Sequence, residues 1–128
     1  MENLLKKHKI KITPQRMELI RILNELGNTH PSFNGIYQTI NATHPNVSRS
    51  TVYENLKLLV ELGIITSFHY KGEIRYEMDP EPHVNLAELD GTITDIKNPE
   101  IQKHLEYIRR ILKEKEGIEP ETLLVIVE

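Results

Sequence analysis

From Thr13 onward the apolar residues follow first a helical spacing and later an alternating one, and the switch divides the chain into elements. Thr13-Pro14 is a helix opening, a hydroxyl N-cap followed by proline at the first helical position. Met17, Ile20, Leu23 and Leu26 then recur at helical spacing, and Gly27 stops the element. The spacing predicts a second helix from near Ser32, with Phe33, Ile36, Tyr37 and Ile40 at i, i+3, i+4 and i+7, closed off by Pro45. A third helix opens at Ser48, turns Val52, Leu56, Leu59 and Val60 inward, and ends at the capping Gly63. Upstream of all three, residues 2–8 read as a short helix that stops before Lys9-Ile10-Lys11-Ile12.

Residues 64–70 and 73–78 are β-type runs joined by Lys71-Gly72, a hairpin signal. Three helices followed by a hairpin is the order of a winged helix-turn-helix. The stiff, polar Asp79-Pro80-Glu81-Pro82 is a boundary, which gives an N-terminal domain over 1–78, a linker over 79–82 and a second domain over 83–128. In the second domain, 85–89 and 92–96 form a hairpin about Asp90-Gly91, expected as a two-residue turn because Asp-Gly supplies positive φ angles. Asn98-Pro99 opens a long helix with Ile101, Leu105, Ile108 and Leu112 on one face, ending at Gly117, and 122–127 is strand-like. The fold class expected is α+β: a winged helix-turn-helix domain followed by a small α/β domain. A unit of about fifty residues is marginal alone. Its last strand is apolar on both faces, so homodimerisation through this half is the simplest way to cover it.

Composition narrows the class. With 38% hydrophobic and 27% charged residues the chain has the balance of a globular protein. No apolar run approaches the roughly 20 residues of a membrane span, and the N-terminus has no signal-peptide pattern, so a cytoplasmic protein without membrane contact is expected. There is no cysteine, which removes disulfides, thiolate zinc sites and cysteine nucleophiles together. The net charge of −3 averages unlike halves: 10 Lys/Arg against 7 Asp/Glu through Met78, then 6 against 12. A basic front suits an anionic partner for the N-terminal half.

In a helix-turn-helix the second helix of the motif enters the major groove N-terminus first. With its stripe turned inward, Arg49, Tyr53 and Lys57 share another flank, and Ser48, Ser50 and Thr51 cluster at the helix start, where hydroxyls and free N–H groups suit phosphate oxygens. Arg49 suits a guanine edge. Tyr53 suits a thymine methyl or a phosphate, or else is a half-buried ring of the motif's own core.

The runs TPQR at 13–16, HPSFNGIY at 30–37, SRSTVYENLKLLVELGII at 48–65 and RYEM at 75–78 resemble the ferric uptake regulator family of metal-responsive transcription factors. The resemblance implies a homodimer with an α/β dimerisation domain, acting as a repressor on AT-rich, roughly palindromic double-stranded DNA. It implies base contacts from Arg49 and Tyr53, and adds Lys11, Thr13 and Arg16 near the DNA backbone or minor groove. It also implies one divalent metal (Fe, Mn or Zn) per subunit, held between the two domains by His30, Glu77, His83 and Asp95. Imidazoles with carboxylates suit those ions. Three departures stand out. The family's cluster of two or more histidines is here Pro82-His83-Val84-Asn85, and its cysteine-ligated structural zinc has no ligands. Glu121 stands about where other members carry a histidine.

Three other functions account for part of the pattern. One is a winged-helix regulator independent of metal and controlled by another ligand or partner. Another is a metal-dependent hydrolase on His83, Asp95, Glu77 and Glu88, for which no HExxH, GxSxG or P-loop signature exists. The third, a winged helix that binds only protein, fits poorly with the basic N-terminus and Arg49.

Overall fold

The computed structural model describes residues 7, 9–11, 13–26, 29–78, 81–120 and 122–128. The expected helix over 2–8, the Gly27 stop, Asp79-Pro80 of the linker and Glu121 lie outside the described residues. The chain divides into two compact units, Met1–Asp79 and Pro80–Glu128.

The first unit carries three helices, α1 Pro14–Leu26, α2 Phe33–Thr43 and α3 Arg49–Glu61, then strands β1 Thr66–Tyr70 and β2 Glu73–Glu77. Thr13 caps α1, its hydroxyl accepting from the Arg16 amide at 3.2 Å. Ser32 and Ser48 do the same for α2 and α3, accepting from the amides of Gly35 and Thr51, each at 3.1 Å. The buried face of α1 is Leu19, Ile20, Ile22 and Leu23, while Met17 is 41% exposed. This corrects the stripe expected from Met17. Steps of three residues fall behind a 3.6-residue turn by about 60° each, so a stripe counted in threes drifts off the core face.

Val52, Leu56 and Leu59 of α3 pack with Ile36 and Ile40 of α2 and with Ile65 and Tyr76 in one apolar core. Helix α3 ends as a Schellman motif. Gly63 has φ +74°, its amide donates to the Val60 carbonyl at 3.0 Å, and the Ile64 amide donates to that of Leu59 at 3.0 Å. Strands β1 and β2 are antiparallel, from Thr66 opposite Glu77 to Tyr70 opposite Glu73. Lys71 and Gly72 between them both have positive φ (50° and 79°), the pattern of a two-residue type I′ turn.

The second unit contains β3 His83–Ala87, β4 Ile93–Ile96, helix α4 Pro99–Glu116 and β5 Leu124–Val127. Its sheet runs in the order β4-β3-β5, with β3 antiparallel to β4 and parallel to β5. The turn between β3 and β4 is longer than expected. The Glu88 amide donates to the Thr92 carbonyl at 2.9 Å and the Gly91 amide to that of Glu88 at 3.0 Å, which leaves a three-residue loop, Leu89-Asp90-Gly91. Of that loop only Gly91 has positive φ, at 90°. Asp90 instead uses its carboxylate to accept from the Thr92 amide at 2.9 Å, a local bond that holds the wider loop.

Asn98 caps α4 through two amides, those of Glu100 and Ile101, and Gly117 closes it at φ +67°. On the apolar face of α4 only Leu105 is buried, and Ile108 is 44% exposed. Strand β5 is one of the sheet's two edges, β4 being the other, with Leu124 and Val127 each 45% exposed. No helix among the described residues is long and apolar enough to cross a membrane.

Candidate functional site

The predicted reading helix presents a polar start. Ser48, Arg49, Ser50 and Thr51 are exposed, and the Ser48 hydroxyl, besides capping, lies 3.3 Å from that of Ser50 and 2.9 Å from that of Thr51. Burial of Val52, Leu56 and Leu59 turns Tyr53 and Lys57 outward. Tyr53 is 41% exposed and meets Phe33 edge-on with ring centroids 6.1 Å apart. It is thus both a surface residue and a packed one.

Arg49 is held. Its guanidinium lies 5.0 Å from the Phe33 ring centre and 4.9 Å from that of Tyr37, and donates to the Asn34 amide oxygen at 2.6 Å. The two rings are themselves stacked. Cation–π contacts with such a platform limit the conformations the arginine has to lose on docking. The α2 side of this arrangement was read from sequence only as an apolar stripe; no local signal marks a contact made across two helices.

Arg16 is also engaged, donating to the Asn55 side chain at 2.9 Å and to the Lys11 carbonyl at 2.6 Å. It ties the segment before α1 to α3 and keeps Lys11 exposed beside them. Thr13 is half-buried and spends its hydroxyl on the cap.

The four histidine and carboxylate candidates occur as one pair in each unit. In the first, His30 is fully buried and lies in left-handed backbone, φ +50°. Such a conformation costs free energy in a non-glycine residue and is kept where the surroundings enforce it. Strand β2 does so: the Tyr76 amide donates to the Pro31 carbonyl at 3.0 Å, Ser32 bridges Arg75, and the Arg75 guanidinium donates to the His30 carbonyl at 3.3 Å. The His30 ring packs edge-on against Phe68. Its Nδ1 faces Glu77 Oε2 at 3.7 Å, beyond hydrogen-bond reach but close enough for both atoms to bind one ion.

In the second unit His83 is 5% exposed. Its Nδ1 lies 2.8 Å from the Glu81 carbonyl, which can only accept, so Nδ1 carries the proton. The lone pair of neutral His83 is then on Nε2, which faces Asp95 Oδ1 and Asn85 Oδ1, each at 3.1 Å. Fixing the tautomer through a backbone carbonyl is how metal-binding histidines are commonly oriented. A nitrogen lone pair and oxygen acceptors gathered in a buried place fit a divalent cation.

Asn85 was not among the candidates read from sequence. The signal was available: it stands two residues from His83, on the same face of β3, and is 1% exposed.

A family model for the ferric uptake regulator family matches residues 7–126. Among curated proteins, the chain is 34% identical over 102 residues to a ferric uptake regulation protein homolog of Archaeoglobus fulgidus, covering 80% of this chain and 79% of that one. It is 32% identical over 96 residues to a peroxide-responsive repressor of Staphylococcus aureus, covering 73% of this chain and 64% of that protein's length. Among solved structures, a zinc-bound manganese uptake regulator superposes with a TM-score of 0.73 at 30% identity, covering 98% of this chain and 96% of that one.

Proposed function

The chain belongs to the ferric uptake regulator family, a family of metal-responsive transcription regulators and not of enzymes, and from that membership we propose how its own residues serve the role. The proposal is a cytoplasmic homodimeric repressor, with DNA-binding over 1–78 and dimerisation over 83–128, on AT-rich, roughly palindromic double-stranded DNA. Ser48, Arg49, Ser50, Thr51, Tyr53 and Lys57 face the DNA from α3, while Lys11, Thr13 and Arg16 support it from the segment before and at the start of α1. Arg49 reads a base edge and the hydroxyls of Ser48, Ser50 and Thr51 meet phosphate oxygens.

One divalent ion (iron, manganese or zinc) is held per subunit by His30, Glu77, His83 and Asp95. The observation that supports this best is the buried His83, its Nδ1 held by the Glu81 carbonyl and its Nε2 turned toward the Asp95 carboxylate. A bound divalent ion supplies positive charge to two buried carboxylates, and binding only the folded protein stabilises it. The ligands themselves are preset: Arg75 and Tyr76 hold the His30 segment, and Glu81 holds His83.

The deciding experiment is metal analysis of purified protein together with selection of bound DNA with and without the metal found. One ion per chain and a metal-dependent operator preference are expected, both lost in a His83→Ala variant. DNA selection that proceeds identically without any saturable metal binding would assign control to another ligand or partner.

A further inference from the structure

We propose that Asn85 is itself a metal ligand, its amide oxygen tilting the site toward Mn(II) and away from Zn(II); this rests on the metal reading above. Asn85 sits at the centre of the second unit's sheet, directly opposite Asp95 in the β3–β4 register. It is 1% exposed. On its other side β5 fixes which way the amide points: Nδ2 donates to the Val125 carbonyl at 3.1 Å. That bond can be made only by the nitrogen, so the oxygen is the atom turned to His83. Oδ1 is therefore an acceptor held 3.1 Å from a nitrogen that is itself an acceptor when neutral, with Asp95 Oδ1 at the same distance from that nitrogen.

One ring nitrogen and two oxygens gathered in a buried place form a cradle of the kind a divalent cation occupies. Spacings of 3.1 Å are also close to the roughly 3.0 Å that separates adjacent ligands at right angles around an ion with bonds of about 2.1 Å. With Asn85 the second unit's own donors become one imidazole nitrogen and two oxygens. Zinc favours nitrogen and sulfur in four-coordinate sites, whereas manganese accepts more oxygen and higher coordination. The alternative role for Asn85 is bracing, in which it merely steadies the His83 ring. A brace affects every ion alike; a ligand changes which ion is preferred.

The test is titration of the full chain with Mn(II) and Zn(II) by calorimetry, with loss of the free Mn(II) electron paramagnetic resonance signal as a second readout. In Asn85→Leu, Mn(II) affinity is expected to fall about tenfold or more and Zn(II) affinity by less than about threefold. In Asn85→His the order reverses, with Zn(II) gaining about tenfold over Mn(II). If the leucine variant fails to fold by circular dichroism, the histidine variant carries the test. Equal weakening of both ions in Asn85→Leu, or an unchanged ratio in Asn85→His, overturns the proposal. If His83→Ala abolishes binding of both ions while the Asn85 variants change neither, the metal reading stands and this one falls. A wild-type chain that binds neither ion overturns both.

Discussion

Arg49, proposed to read a base edge, is already held in place by the chain's own residues. Guanidinium is planar and can stack on Phe33 and Tyr37 while keeping donors for a guanine edge; an ammonium can do neither as well. Arg49→Ala should therefore weaken specific DNA binding by about 1–3 kcal/mol and relax sequence preference, and Arg49→Lys should recover little of the loss. Competition gel shifts with specific and scrambled operator measure both effects; full recovery by lysine would reduce Arg49 to a point charge. Lys11 is a different case. It is exposed, with its backbone held by Arg16, so Lys11→Ala should weaken binding to all sequences alike and reduce the slope of log affinity against log salt by about 1. Tyr76 carries a prediction for stability. Burial, with a smaller contribution from Tyr53, pushes its phenol up to about 12. An unfolded tyrosine titrates near 10, so the unfolded chain loses that proton first. Stability is whole below about pH 10 and is lost progressively as the pH rises from there toward 12. Melting temperatures at pH 9 and pH 11 should differ by less in Tyr76→Phe than in the parent chain.

At the scale of elements, the caps are where sequence and structure agree most closely, because a cap is a local event. Ser32, Ser48 and Asn98 each accept from the amides that a helix start leaves without intrahelical partners, and Gly63 and Gly117 each take the left-handed conformation at a helix end. Ser48→Ala should cost about 1 kcal/mol, and Gly63→Ala a similar amount through strain at φ +74°. Denaturant melts would register both, and a neutral Gly63→Ala would mean that the turn after α3 relaxes. What sequence could not show has a common cause. Asp90-Gly91 suits a two-residue turn and a three-residue one equally, and the cross-strand bond of Glu88 to Thr92 decides between them. Met17 matched a spacing rule, yet burial follows the whole face of α1. In the sequence, His30, Glu77, His83 and Asp95 are metal candidates through family resemblance alone. The left-handed backbone of His30 and the β2 bonds that hold it come from residues more than forty positions apart. Asn85 escaped notice because its significance lies in the atoms around it, not in its type.

For the whole molecule, the second unit carries a surface suited to assembly. Its sheet has an edge strand, β5, with backbone groups available for pairing and with Leu124 and Val127 each 45% exposed. Helix α4 separately exposes Tyr107 and Ile108, at 52% and 44%. An uncovered apolar edge is an aggregation hazard that native proteins avoid or use for association. A second copy of the same chain docked there would cover it symmetrically and would also supply the second reading helix that the proposed palindromic operator requires. If the dimer forms there, the melting temperature should rise with protein concentration, since association stabilises the folded chain by mass action. Leu124→Lys combined with Val127→Lys places two charges on that edge. The variant should sediment as a monomer, lose the concentration dependence and bind a full operator no better than a half-site. Each position is nearly half open to water in the single chain, and circular dichroism matching that of the parent chain is expected of the variant. A variant that still sediments as a dimer would place the interface elsewhere, and the exposure of β5 would then need another partner to explain it.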